Sequence, residues 1–250
     1  MRRTALRRPW PAAALGLVLV AALTVGGSGL WYVFLRPAGP AAVGTSAVPL
    51  PSSAVASGVP GSATPGAVGG TWQVDSSIGS FRDFSDSFVG YRVQEQLASI
   101  GGNTAVGRTP NVSGTVTIEG TAVTAAAITA DLSTLQSDDD RRDGQLRQQS
   151  LETNRFPTAT FTLTQPSELP DGATSGQEVQ VTVRGDLTLH GQTQRVDLPL
   201  TARHESGVIV VSGSLEISFS DYGIEAPRSF LVLSVEDHAT MELQLFLTRA

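Results

Sequence analysis

The chain has 250 residues and no cysteine, which excludes a disulfide framework, a thiolate metal site and a cysteine nucleophile. Its charge is split: residues 1–36 hold five arginines and no acid, while residues 71–250 hold 12 basic and 23 acidic side chains, a net −11. A domain that acidic repels phosphate backbones, so nucleic acid is excluded as a partner.

Residues 1–10 carry Arg2, Arg3, Arg7 and Arg8 and read as a cytoplasmic N-terminus. Residues 11–36 are expected to form a single-pass transmembrane signal-anchor helix. Pro11 to Leu35 is uncharged over 25 residues, enough for a helix of about 37 Å against a hydrocarbon core of roughly 30 Å. Trp10 lies at one end and Trp31, Tyr32 and Phe34 at the other, where interfacial aromatics are favoured. Cleavage as a signal peptide near Val25-Gly26-Gly27 is the competing reading. Both readings place the remaining chain on the extracytoplasmic side of a cell membrane. The lack of lysine and the abundance of Ala, Gly and Val fit a GC-rich bacterial genome.

Residues 37–70 contain only Ala, Gly, Pro, Ser, Thr and Val apart from Leu50. That composition buries too little apolar surface to offset its ordering entropy, so a disordered linker is expected. As a coil it spans about 30–35 Å.

From residue 71 to 250 the apolar period is two, the signature of strands with one wet face. Trp72-Val74, Val89-Tyr91-Val93, Val112–Ile118, Ile128-Ala130-Leu132 and Ala159-Phe161-Leu163 begin the series. Val179–Leu189 and Val196–Ala202 follow around a turn at Gly191, then Ile209–Phe219, Leu231–Val235 and Met241–Leu247. This gives an all-β, antiparallel domain of about eight to ten strands, a barrel or sandwich. Ser137 to Leu151 is the one helical segment, with Ser137 as cap and Asp138, Asp139 and Asp140 at the positive end of its dipole. Arg142-Asp143 is a candidate ion pair tying that helix to the barrel.

Sites for chemistry are sparse. The Asp138–Asp140 run lacks the calcium-loop order because Arg141 and Arg142 intervene, and no G-x-S-x-G or H-E-x-x-H appears. His190, His204 and His238 are scattered, so no catalytic residue, metal ligand or cofactor site is assigned. Small residues expected to face inward (Ala125, Ala127, Ala130, Ala159, Gly185 and Gly213) leave volume in a barrel. Residue patterns alone leave a side-chain-filled barrel, serving as a surface interaction or structural module, and a ligand cavity both open.

Six segments in order resemble the YceI-like family of polyisoprenoid-binding, lipocalin-like proteins. They are Trp72-Gln73-Val74-Asp75, Val89–Val93, Arg142–Arg147, Phe156–Phe161, Val183–Gly191 and Ser220–Ile224. The resemblance implies an eight-stranded antiparallel barrel with one short helix, a non-enzymatic role, and a long apolar lipid as partner. Tunnel-lining residues expected on that basis are Tyr91, Val93, Phe161, Leu163, Val181, Val183, Leu187, Leu198, Leu215, Ile217, Leu243 and Leu245. The chain departs from the family at Ser76-Ser77-Ile78 and Arg92–Glu95, where relatives often carry histidines. The N-terminal anchor is an addition to the family pattern.

Overall fold

The computed structural model describes residues 40–43, 68–97, 101–226 and 232–250. The expected transmembrane helix at 11–36 lies outside these residues. Among the described residues no helix is long and apolar enough to cross a membrane.

Twelve strands are present among the described residues: β1 Gly70–Val74, β2 Phe88–Leu97, β3 Gly101–Thr109, β4 Val112–Glu119, β5 Ala122–Asp131, β6 Thr158–Leu163, β7 Ser167–Glu168, β8 Val179–Leu189, β9 Gln192–Glu205, β10 Val208–Ser218, β11 Val232–Val235 and β12 His238–Arg249. Eight of them form a ring in the order β1-β4-β5-β6-β8-β9-β10-β12, and antiparallel pairing of β1 with β12 closes it. Closure leaves the ring without a free edge. The domain is an eight-stranded antiparallel barrel.

The long strand β12 changes partner along its length. Its C-terminal part, at Leu247–Arg249, pairs β1, whereas Thr240–Gln244 pair β2. β2 in turn pairs β3 and β11, so one end of the barrel is widened by strands outside the ring. There β3 meets the chain after β5 through a bridge between Arg108 and Gln136. The helix α1, Asp140–Gln145, and a π-helical turn, Leu146–Ser150, follow that bridge.

β3 has no counterpart in the sequence reading. Gly101-Gly102-Asn103-Thr104 offers no apolar alternation, and the strand is recruited by nine consecutive pairings with β2. The helix is also shorter than expected and capped differently. Asp139, not Ser137, is its N-cap, because its carboxylate accepts from the Arg141 and Arg142 amides at 2.9 and 3.3 Å. Ser137 instead donates to the buried Asp143 carboxylate through both its amide and its hydroxyl.

Two of the small residues expected inside point outward. The pairing of β4 with β5 slips between Thr117 and Ile118, leaving Thr124 as an extra residue. That bulge reverses the alternation, so Ala125 and Ala127 are exposed. Gly185 leaves no space either: the Phe161 ring occupies the position of its absent side chain, as Leu200 does at Gly213.

The linker expectation also needs correction at two places. Val68 is buried in the core, where its carbonyl accepts from the Trp72 indole at 2.8 Å. Pro40–Val43 makes hydrogen bonds to the barrel, described below.

Candidate functional site

The inward side chains enclose two apolar chambers. The first, of about 140 Å³, is bounded by β4, β5, β6, β8, β9, β10 and β12, with Ile128, Phe161, Val183, Leu198, Leu243 and Leu245 among its walls. The second, of about 110 Å³, lies toward the widened end, between β2, β12 and the helical segment. Val89, Ala159, Leu187 and Met241 belong to the walls of both, so the two chambers are neighbours that share this wall.

Strand alternation explains this lining. Along β8, Val179, Val183, Leu187 and Leu189 are buried while Gln180, Thr182 and Arg184 face water. On that outer face Arg184 forms a two-pronged pair with Asp197 of β9 at 2.6 and 2.8 Å, and Arg195 donates to Asp186. These charges therefore stay off the wall of the first chamber.

Of the twelve expected lining residues, Phe161, Leu163, Val181, Val183, Leu187, Leu198, Leu243 and Leu245 lie on the first chamber. Tyr91, Val93 and Ile217 lie on the second, which Leu187 also reaches. Leu215 packs among the core side chains without lining either chamber. Met241 is an addition that the Met241–Leu247 alternation already signalled. Arg142, Glu95, Leu146 and Ser150 are further additions; Leu146 and Ser150 stand at helical spacing in the sequence, whereas Arg142 and the polar end of β2 at Glu95 carry no apolar periodicity.

The second chamber has a polar end. Arg142 Nη2 donates to Glu95 Oε1 at 2.8 Å and Arg142 Nη1 to Asp138 Oδ1 at 2.7 Å. The expected tie between helix and barrel is therefore present, but the partner is Glu95 of β2; Asp143 serves Ser137. Burial disfavours the Arg142 charge, and the nearby Glu95 and Asp138 carboxylates outweigh it, holding the guanidinium above its ordinary range. Tyr91 and Ser150 also belong to this lining, and their hydroxyl oxygens are buried without a hydrogen-bond partner. Burial pushes the Tyr91 phenol up, so it is a neutral donor at any physiological pH.

The histidines are placed apart. His190 Nδ1 lies 3.0 Å from the Tyr222 carbonyl and its ring packs edge-on against Phe156. His204 packs against Trp72, and His238 pairs with Asp237 and Glu236. Among the described residues no group of three His, Asp or Glu side chains is placed to hold a metal ion.

The fold is similar to that of a polyisoprenoid binding domain from Saccharophagus degradans implicated in plant cell wall breakdown. That likeness has a TM-score of 0.55 and 21% identity, covering 72% of this chain and 98% of that one. BcnA of Burkholderia cenocepacia is similar at a TM-score of 0.51 and 20% identity, covering 64% of this chain and 95% of that one. No curated protein matches the sequence significantly. The sequence profile of the YceI-like domain matches residues 72–247, from within β1 to within β12. The chain belongs to the YceI-like family.

Proposed function

We propose that this protein is a non-enzymatic lipid-binding protein, tethered to the cell membrane by residues 11–36, whose extracytoplasmic barrel holds one long, polyisoprenoid-like chain. The observation that carries the reading is the adjacency of two apolar chambers that share Val89, Ala159, Leu187 and Met241. In the proposed complex the lipid runs past this shared wall from one chamber into the other. Each methylene moved from water into such a path gains roughly 0.8 kcal/mol, so a long chain binds without many polar contacts. The polyisoprenoid binding domain of Saccharophagus degradans shares the fold.

The polar end of the path suits a neutral head group. Arg142, Glu95 and Glu225 line it, so carboxylates outnumber the guanidinium, which Glu95 and Asp138 already engage. Among the described residues a diphosphate finds no free cation there. A hydroxyl or carbonyl finds the unpartnered Tyr91 and Ser150 hydroxyls. The tether reading rests on the uncharged 11–35 stretch and the arginines before it, and it keeps the barrel beside the bilayer that supplies such lipids.

The test is to isolate the full chain from washed membranes, extract it with organic solvent and identify the extract by mass spectrometry. A long-chain neutral lipid in stoichiometric amount is expected. Recovery of the chain in a carbonate wash would remove the tether. Repeated absence of lipid, with no uptake of added polyprenol, would remove the binding function.

A further inference from the structure

A second polar cluster lies on the outer wall of the barrel, away from the chambers. Glu242 of β12, Gly90 of β2 and Arg108 of β3 stand in register on neighbouring strands. Glu242 is 1% exposed and Arg108 3%. Buried charges persist only when paired and hydrogen-bonded. Glu242 Oε1 accepts from Arg92 Nε at 3.0 Å, and Glu242 Oε2 from Arg108 Nη2 at 3.3 Å. The Arg108 guanidinium also lies over the Phe88 and Phe84 rings, 4.2 and 4.7 Å from their centroids. Gly90 keeps the pair open, since a side chain there would come within 2.7 Å of Arg108 Cγ.

Pro40–Val43 supplies three further partners to this cluster, while Arg108 Nε stays buried without one. Arg92 Nη2 donates to the Pro40 carbonyl at 2.8 Å, and Arg108 Nη2 to the Ala41 carbonyl at 2.9 Å. The Val43 amide donates to Glu242 Oε1 at 3.2 Å. All three bonds reach main-chain groups. The segment offers two acceptors and then one donor, and the wall answers with two guanidiniums and one carboxylate. Proline, having no N–H, adds no unmatched donor at the start. Charge-assisted bonds of this kind are the stronger class, which explains why a barrel retains three ionised groups on a largely covered outer face.

We infer that the outer wall of β12, β2 and β3 is a binding site for an extended main-chain segment, and that its occupant is the chain's own Pro40–Val43. The site is a clamp on the linker. Four residues lie between Leu35 and Pro40, so the five steps cover at most about 17 Å of chain, whereas a free 34-residue linker spans about 30–35 Å. The consequence for the height of the barrel above a bilayer rests on the proposed tether; the clamp itself does not, nor does it depend on any lipid.

The clamp is tested in the full chain with a nitroxide on Ala42→Cys, which introduces the sole cysteine at an exposed position. The label should give a slow-motion electron paramagnetic resonance spectrum. Adding Val43→Pro, which deletes the amide that meets Glu242, should shorten the label's correlation time several-fold, as should Arg92→Ala. Near-UV circular dichroism checks that the barrel stays folded, and Val43 lies in no strand, so its replacement leaves the sheet intact. A fast-motion spectrum in the parent, or a slow one that survives Val43→Pro in a folded barrel, would overturn the inference. Lipid occupancy, measured separately, should be the same in parent and variant.

Discussion

Arg142, on the helix, donates to Glu95 of β2 at 2.8 Å across 47 residues of sequence, and both side chains are largely withdrawn from water. The pair fixes the helical segment against the widened end of the barrel. It also neutralises the one cation that lines the second chamber among the described residues. Removing one partner of a buried pair strands the other charge, which costs about 3 kcal/mol or more. Arg142→Met should therefore lower stability by about 3 kcal/mol in urea denaturation. Adding Glu95→Gln to it should recover a substantial part, because the amide left behind is neutral and retains Asn103 as a partner.

The wall shared by the two chambers predicts a chain-length cut-off. Ala159→Phe places a ring at that wall. Overpacking of this kind costs about 1–3 kcal/mol of stability. Long polyprenols should lose affinity at least tenfold, while a chain short enough for the first chamber should still bind. Titration with a series of chain lengths, in parent and variant, measures the difference.

Asp86 predicts a pH dependence. Burial, aided by the neighbouring Asp83, raises its carboxyl to about 6, against the opposing effects of its backbone hydrogen bond and of Arg108. Between the unfolded value of 3.8 and about 6 the folded state holds the extra proton. The stability this group contributes is therefore present below the unfolded value and lost as pH rises through 6. Asp86→Asn should abolish that loss and stabilise the protein at pH 8 by about 1 kcal/mol, with little change at pH 4. Thermal melts at the two pH values check the sign.

Gly191 predicts a backbone effect. His190 and Gly191 form the two-residue turn between β8 and β9, with φ of +51° and +72°. Two positive φ values in succession describe a hairpin turn that matches strand twist. A methyl at Gly191 would also come within 2.6 Å of Phe156. Gly191→Ala should destabilise by about 1–2 kcal/mol, with Gly207→Ala, where nothing crowds the added carbon, costing less.

Much of the barrel is legible in the sequence because burial of one sheet face forces period two, and β8, β9, β10 and β12 show it plainly. What was not legible has specific causes. β3 is held by pairing, and its Gly-Gly-Asn-Thr start carries no apolar alternation. Ala125 and Ala127 face outward because one bulged residue at Thr124 reverses the faces. The partner of Arg142 is a strand residue far away in sequence, and adjacency suggested Asp143 instead. The docking of Pro40–Val43 leaves no trace in composition, since the wall binds its main chain and not its side chains. Along β8, by contrast, Val181, Val183 and Leu187 reach the chambers as their alternation indicates.

The most direct measurement of the central claim is native mass spectrometry of the folded, delipidated protein mixed with one long-chain polyprenol. The account predicts a single adduct per barrel, displaced by unlabelled competitor and lost in Ala159→Phe. A folded barrel that takes up no polyprenol at any concentration, in parent as in variant, would contradict it.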